Sequence, residues 1–221
     1  MKVLITKEVF EKLNPGFIAG VLFCSKIDNR TQEADIHEML RDIEEFVRVS
    51  FGPENARHLT PAHDGEQFKH YHTNVERLML DVLDGNEIPS KDKLTDLCNF
   101  MSLKHIVPIG ALDADKTKGE ISFRIAEGKE LFGKQAVMAG ELVLCDDTSV
   151  LARKLHYEAD SRYGITKKTQ HALVLVEALP PFDSAQLLNL VAELAGLIKI
   201  FCGGKVQSGV LNKQQMEIRF S

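Results

Sequence analysis

The chain has 221 residues, 44% hydrophobic and 27% charged, with a formal net charge of −5. That length allows one large domain or two small ones, and such a composition buries roughly 70% of the unfolded surface without a metal or disulfide staple. The negative balance argues against broad nonspecific nucleic-acid binding, and four dispersed cysteines (Cys24, Cys98, Cys145 and Cys202) with no C-x-x-C pair argue against a zinc knuckle.

Lys2, Lys7, Glu8, Glu11 and Lys12 interrupt the opening turns, so no signal peptide is expected and the protein reads as cytoplasmic. Gly16 to Ser25 reads as a buried strand. Thr31 to Val49 reads as an amphipathic helix with Ile36, Met39, Leu40, Ile43 and Val47 on one face. Phe51 to Phe68 is rich in Gly, Pro and His and reads as loop. A second helix is expected over Asn74 to Leu83, stopped by Gly85. A third is capped by Ser90 and buries Leu94, Leu97, Cys98 and Met101.

The period then changes. Ile121 to Ile125 alternates, Glu141 to Cys145 follows Gly140 as a strand, and His171 to Ala178 is a β-branched strand ended by Pro180-Pro181. Asp183 or Ser184 caps a long helix, Leu187 to Phe201, closed by Gly203-Gly204. The apolar stretch from Leu187 to Cys202 carries Asn189, Glu193 and Lys199, and is too short and too charged for a bilayer span. Val206 to Leu211 and Met216 to Phe220 read as a terminal pair of strands around Asn212-Lys213. Without repeats or a long linker, the whole chain 1–221 is expected to form one α+β domain. Its central sheet is mixed or antiparallel and is flanked by helices.

No phosphate-binding loop, dinucleotide fingerprint, H-E-x-x-H or G-x-S-x-G elbow is present. His70, His72 and Glu76 do not make a convincing metal site, because positions i and i+2 share a face on a strand and not on a helix. No metal or cofactor is called for. Local basic character is confined to residues 104–168, through Lys104, Lys116, Lys118, Arg153, Lys154, Arg162, Lys167 and Lys168. The polar residues cluster in the same third. Asn99, His105, Asp113, Asp115 and Arg124 come first, and Arg124 is expected to pair with Asp113. The aperiodic segment from Arg153 to Thr169 follows, as a long ordered loop of the kind that often carries function.

The residues from Asn99 to Ala126 resemble the B3/B4 domain of the bacterial phenylalanyl-tRNA synthetase β chain. The shared pattern runs Asn99, Pro108-Ile109-Gly110-Ala111-Leu112-Asp113, Lys116, then Gly119 to Arg124 and Ala126, with Leu142 to Asp146 matching the following strand. Free-standing B3/B4 proteins are closer still. They share Pro108-x-Gly110, Gly140-Glu141, the Arg153-Lys154-Leu155-His156-Tyr157 stretch and Thr166-x-x-Thr169, with the motif-bearing core at about 97–178. In the synthetase this domain hydrolyses the ester of a wrongly attached amino acid, which makes up for limited discrimination by a binding pocket. This chain departs in carrying Gly110 where the synthetase has His. The synthetase Glu falls on Asp160, or on Ala159 or Ser161 with a one-residue slip.

The resemblance implies a trans-acting deacylase for mischarged tRNA, needing a positioned water and oxyanion donors but no covalent nucleophile. Asp160 or His156 would orient the water; histidine suits that task because it ordinarily changes charge near neutral pH. Asn99, Gly110, Glu141, Thr166 and Thr169 would line the amino-acid pocket, and Arg153, Lys154 and Arg162 would hold phosphates or the terminal nucleotide. The alternative is a non-catalytic module that binds tRNA, an amino acid or a protein; hydrolysis of an unrelated small ester or amide is the third reading.

Overall fold

The structure is a computed structural model that describes residues 1–30, 33–52, 73–156 and 158–221. The expected 51–68 loop lies outside the described residues from position 53 on, as do His70, His72 and Tyr157. The elements in chain order are β1 (Lys2–Ile5), β2 (Ile18–Ser25), α1 (Ala34–Ser50), α2 (Asn74–Leu83), α3 (Lys93–His105), β3 (Ile109–Asp113), β4 (Ile121–Ile125), β5 (Leu131–Phe132), β6 (Gln135–Ala136), β7 (Leu142–Cys145), β8 (Val150–Arg153), β9 (Glu158–Ala159), β10 (His171–Ala178), α4 (Ser184–Phe201), β11 (Lys205–Leu211) and β12 (Glu217–Arg219).

The class is α+β, as expected; β5 and β6 pair with each other as a separate two-stranded ribbon, and the other strands divide between two packed sheets. One runs β12-β1-β4-β7-β8-β9 and is mixed, because β1 and β4 pair in parallel. The other runs β11-β2-β10-β3 and is antiparallel throughout. The two terminal strands therefore do not form the expected pair with each other. β11 adds to β2 in one sheet while β12 adds to β1 in the other, since the turn at Asn212 hands the chain from layer to layer.

The core lies between the sheets, where Val3, Ile5, Val21, Phe123, Leu144, Leu173 and Leu175 are buried and Phe17 meets Phe123 edge-on at 5.6 Å. The other face of the four-stranded sheet carries Leu22, Cys24, Val174 and Val176 against α3 and α4. Strands covered on both faces become continuous apolar runs, which is why β2 and β10 lack alternation. α4 is long and apolar enough by composition to cross a membrane, yet Leu187, Leu190, Val191, Leu194 and Ile198 form a buried face against that sheet. The four cysteines are free and buried, and burial pushes the Cys24 thiol up to about 12.

Helix starts follow their caps. Asp183 and Gln186 form a capping box at α4. At α3 the cap is Asp92, which accepts from the Thr95 amide, and not Ser90, whose hydroxyl bonds Asp96 instead. In α1 the buried face includes Glu44, fixed by Arg41 at 2.7 Å and by the Ile88 amide at 2.8 Å.

Candidate functional site

β3 is the edge strand of the four-stranded sheet, and its free side faces the segment after β8 through a bridge between Leu112 and Gly164. Between β8 and β9 the backbone makes a left-handed turn. Lys154, Leu155 and His156 have φ of 53°, 51° and 59°. For residues with a Cβ this conformation costs about 1–2 kcal/mol each, so three in succession need strong support from their surroundings. Leu155 supplies part of it by packing into the core between the sheets. The turn carries the His156 ring onto Gly110 of β3, so closely that a Cβ at position 110 would overlap the ring.

His156 is buried. Its Nδ1 is bonded to the carboxylate of Glu177, itself buried on β10, while its Nε2 has no hydrogen-bond partner. A carboxylate that accepts from Nδ1 selects, for a neutral ring, the tautomer with its proton on Nδ1 and a lone pair on Nε2. On the other side of Gly110, Asn74 at the start of α2 donates from Nδ2 to the Ile109 carbonyl at 2.6 Å, and its Oδ1 is buried and unpartnered. These groups border a cavity of about 620 Å³ whose lining includes Asn74, Thr95, Asn99, Gly110, Ala111 and His156. That size falls in the range of small-molecule sites. Thr95 and Asn99 reach it together because positions four apart share a helix face.

The structure thus gathers Asn99, Gly110 and His156 around one cavity, whose lining also includes Ala159, one alternative position for the synthetase Glu, and sets the other sequence-derived candidates elsewhere. Asp160 is outside the lining. It caps a short 3-10 turn (Ser161–Tyr163), and both its oxygens take hydrogen bonds from Arg162, which hold its carboxyl below the usual carboxylate range. Thr166 and Thr169 form a clamp. Thr169 Oγ1 donates to Asp113 at 2.8 Å, and the Thr166 carbonyl accepts from Asn29, whose side chain also donates to Asp92.

Glu141 is buried away from the cavity, near Arg153 at 3.7 Å, with neither carboxylate oxygen hydrogen-bonded; burial raises its pKa, against the nearby Arg153. Arg153 and Lys154 both bond Glu158, and Arg153 also lies over the Phe132 ring at 5.3 Å. Arg124 pairs with Glu130, not with Asp113. Arg124 and Val143 are register partners on the outer face of the mixed sheet, where Glu130 lies, while Asp113 is held by Thr169 and Lys116.

Two residues of the site carried little sequence signal. Glu177 was visible only as the lone charge in the apolar run of β10, and Asn74 only as a polar residue opening a helix. Among the described residues no group of three potential metal ligands occurs.

A solved structure of an N-terminal fragment of the phenylalanyl-tRNA synthetase β-subunit from Pyrococcus horikoshii has a similar fold, with a TM-score of 0.50 and 15% sequence identity. The match covers 98% of this chain and 53% of that one, so the chain spans about half the length of the fragment. No curated protein matches the sequence. The family model for the B3/4 domain matches residues 65–198, well over half of the chain. The protein belongs to the B3/4 domain family.

Proposed function

We propose that the protein is a hydrolase of aminoacyl esters on mischarged tRNA, with His156 as the general base and Glu177 as the residue that positions it. The observation that carries this reading is the buried His156–Glu177 pair set over a bare glycine at the floor of a ligand-sized cavity. A base whose second nitrogen is held by a carboxylate is oriented and fixed in one tautomer, and gains support for the positive charge it acquires.

In the reaction, His156 Nε2 takes a proton from water as the water oxygen bonds to the ester carbonyl carbon. The bond from that carbon to the ribose oxygen then breaks, and the imidazolium returns the proton to the ribose oxygen. No covalent intermediate is needed because the ester is already activated. Asn99 borders the amino-acid end of the cavity in this reading. Arg153, Lys154 and Arg162 are less suited to phosphates than their sequence suggests, since each already serves a carboxylate.

The test is release of amino acid from a panel of mischarged tRNAs by the purified protein. Release from one member, lost in His156→Ala and reduced in Glu177→Gln, supports the reading; release that survives both substitutions sinks it. The second reading, a binding module without chemistry, draws on the fact that Nε2 has almost no surface open to the cavity. Binding of a charged tRNA end with no release from any member would favour it.

A further inference from the structure

Asn74 and His156 both line the cavity, both are at least nine-tenths buried, and each carries one polar atom without a partner. The chemical character of each free atom is set by the other end of its side chain. Asn74 Nδ2 donates to the Ile109 carbonyl; turning the amide over would set oxygen against oxygen, so the free atom is the acceptor Oδ1. In the neutral ring tautomer that donates from Nδ1 to Glu177, His156 Nε2 is an acceptor too. Both flank Gly110: one side chain bonds the carbonyl just before it, and the other lies across it. Buried acceptors are rarely left unmade in folded proteins; these two lie beside one glycine of the cavity lining with almost no surface open to it, so a ligand donor reaches them as the lining yields. The rim is of mixed sign, with Asp81 and Glu87 beside Arg77 and Lys91, so the floor sets the preference.

We propose that Asn74 is a specificity-determining residue whose Oδ1 accepts a hydrogen bond from a primary ammonium of the ligand, such as the free α-amino group of an aminoacyl ester. This inference rests on the reading of the cavity as an aminoacyl-ester site. The two acceptors then have separate tasks: Nε2 takes the hydrolytic water and Oδ1 takes the amine. A primary ammonium brings three donors and no acceptor, whereas a carboxylate or phosphate group at the same place would face lone pairs.

The experiment is calorimetric binding of the amides of the common amino acids, which are not the ester substrate, each paired with the amide in which hydrogen replaces the amino group. At least one amino-acid amide is expected to bind the wild-type chain about 10- to 100-fold more tightly than its partner, the range for leaving a buried acceptor unmade. Asn74→Ala, shown to be folded by a cooperative melt, is expected to erase the difference. If that variant does not fold, Asn74→Leu, of similar size and without the acceptor, takes its place, and a preference that survives it overturns the role of Asn74. Equal affinity within every pair, or no binding by any member, overturns the proposal. Hydrolysis of mischarged tRNA without an amine preference would keep the catalytic reading and remove this one. An amine preference without hydrolysis would do the reverse.

Discussion

The segment from Arg153 to Arg162 passes between two polar regions that are satisfied to opposite degrees. On the outer side, Arg153 and Lys154 bond Glu158, and Arg162 bonds Asp160 through a fork of short contacts. On the cavity side, His156 and Asn74 each have one end fixed and the other end free. Charges that complete one another stabilise local structure and have little left for a ligand. Groups whose one end is fixed and whose other end is unmade are costly to keep, which marks them as candidates for chemistry. The loop's cations are engaged by neighbouring carboxylates while its histidine keeps one nitrogen unmade, although both lie within ten residues of sequence.

The comparison can be broken most directly by exchanging which side is cut. His156→Ala is expected to lower the rate of amino-acid release about 10²- to 10⁴-fold, the ordinary contribution of a general base, while Asp160→Ala leaves it near the wild-type rate. The opposite pattern in single-turnover deacylation would move the chemistry to the outer side. Next in size is Gly110→Ala. The added methyl meets the imidazole, so the ring must leave its place, with a loss of about 1–3 kcal/mol in urea unfolding and a fall in activity alongside. An unchanged midpoint would mean that the ring yields freely and is not held as described.

Two carboxylates sharpen the comparison through pH. Glu130 is pushed up by burial, but the Arg124 bond and backbone amides outweigh this and bring it down to about 2. Its folded value lies below its unfolded one, so its stabilisation is present above the unfolded pKa and is lost as pH falls through about 2. Glu130→Gln is expected to cost about 1–2 kcal/mol at neutral pH, and less in acid. Glu141 is raised by burial, so the fold holds its proton more tightly than the unfolded chain does. Its contribution is present below the unfolded pKa and is lost as pH rises through the folded value. Glu141→Gln should therefore leave stability unchanged or raise it by up to about 1 kcal/mol at neutral pH, since Arg153 retains Glu158. Thermal melts from acid to neutral pH separate the two, and parallel behaviour would contradict these assignments. The smallest effect is expected for Arg162→Ala, an exposed partner in a surface pair, at under about 0.5 kcal/mol in the same melts.

Much of the local structure was legible in the residues. The runs at His171 to Ala178 and Asn74 to Leu83 match β10 and α2 end for end, because apolar continuity and helical period are local properties. The short strands β1, β3 and β8 were not read as strands. Unlike Ile121 to Ile125, which alternates, these carry no clear period of their own and are held by their partners across the sheet. Asn99, Gly110 and His156 could be chosen from the motif pattern, whereas Thr166, Thr169 and Glu141 were chosen the same way and lie outside the cavity lining. Spacing along the chain does not distinguish a residue that clamps a loop from one that faces a ligand.

By itself, the sequence determined the longer helices and strands and their order, the α+β class and the family, since propensity, hydrophobic period and motif spacing act over a few residues at a time. The tertiary structure alone decided that the strands other than the β5-β6 ribbon form two sheets and that the last two strands separate. It also decided that His156, carried by a left-handed turn, fills the space beside Gly110 with Glu177 behind it. Those residues lie far apart in the chain. Only the pairing of β3 with β10, and the packing of the turn against them, brings a glycine, a histidine and a glutamate within reach of one another.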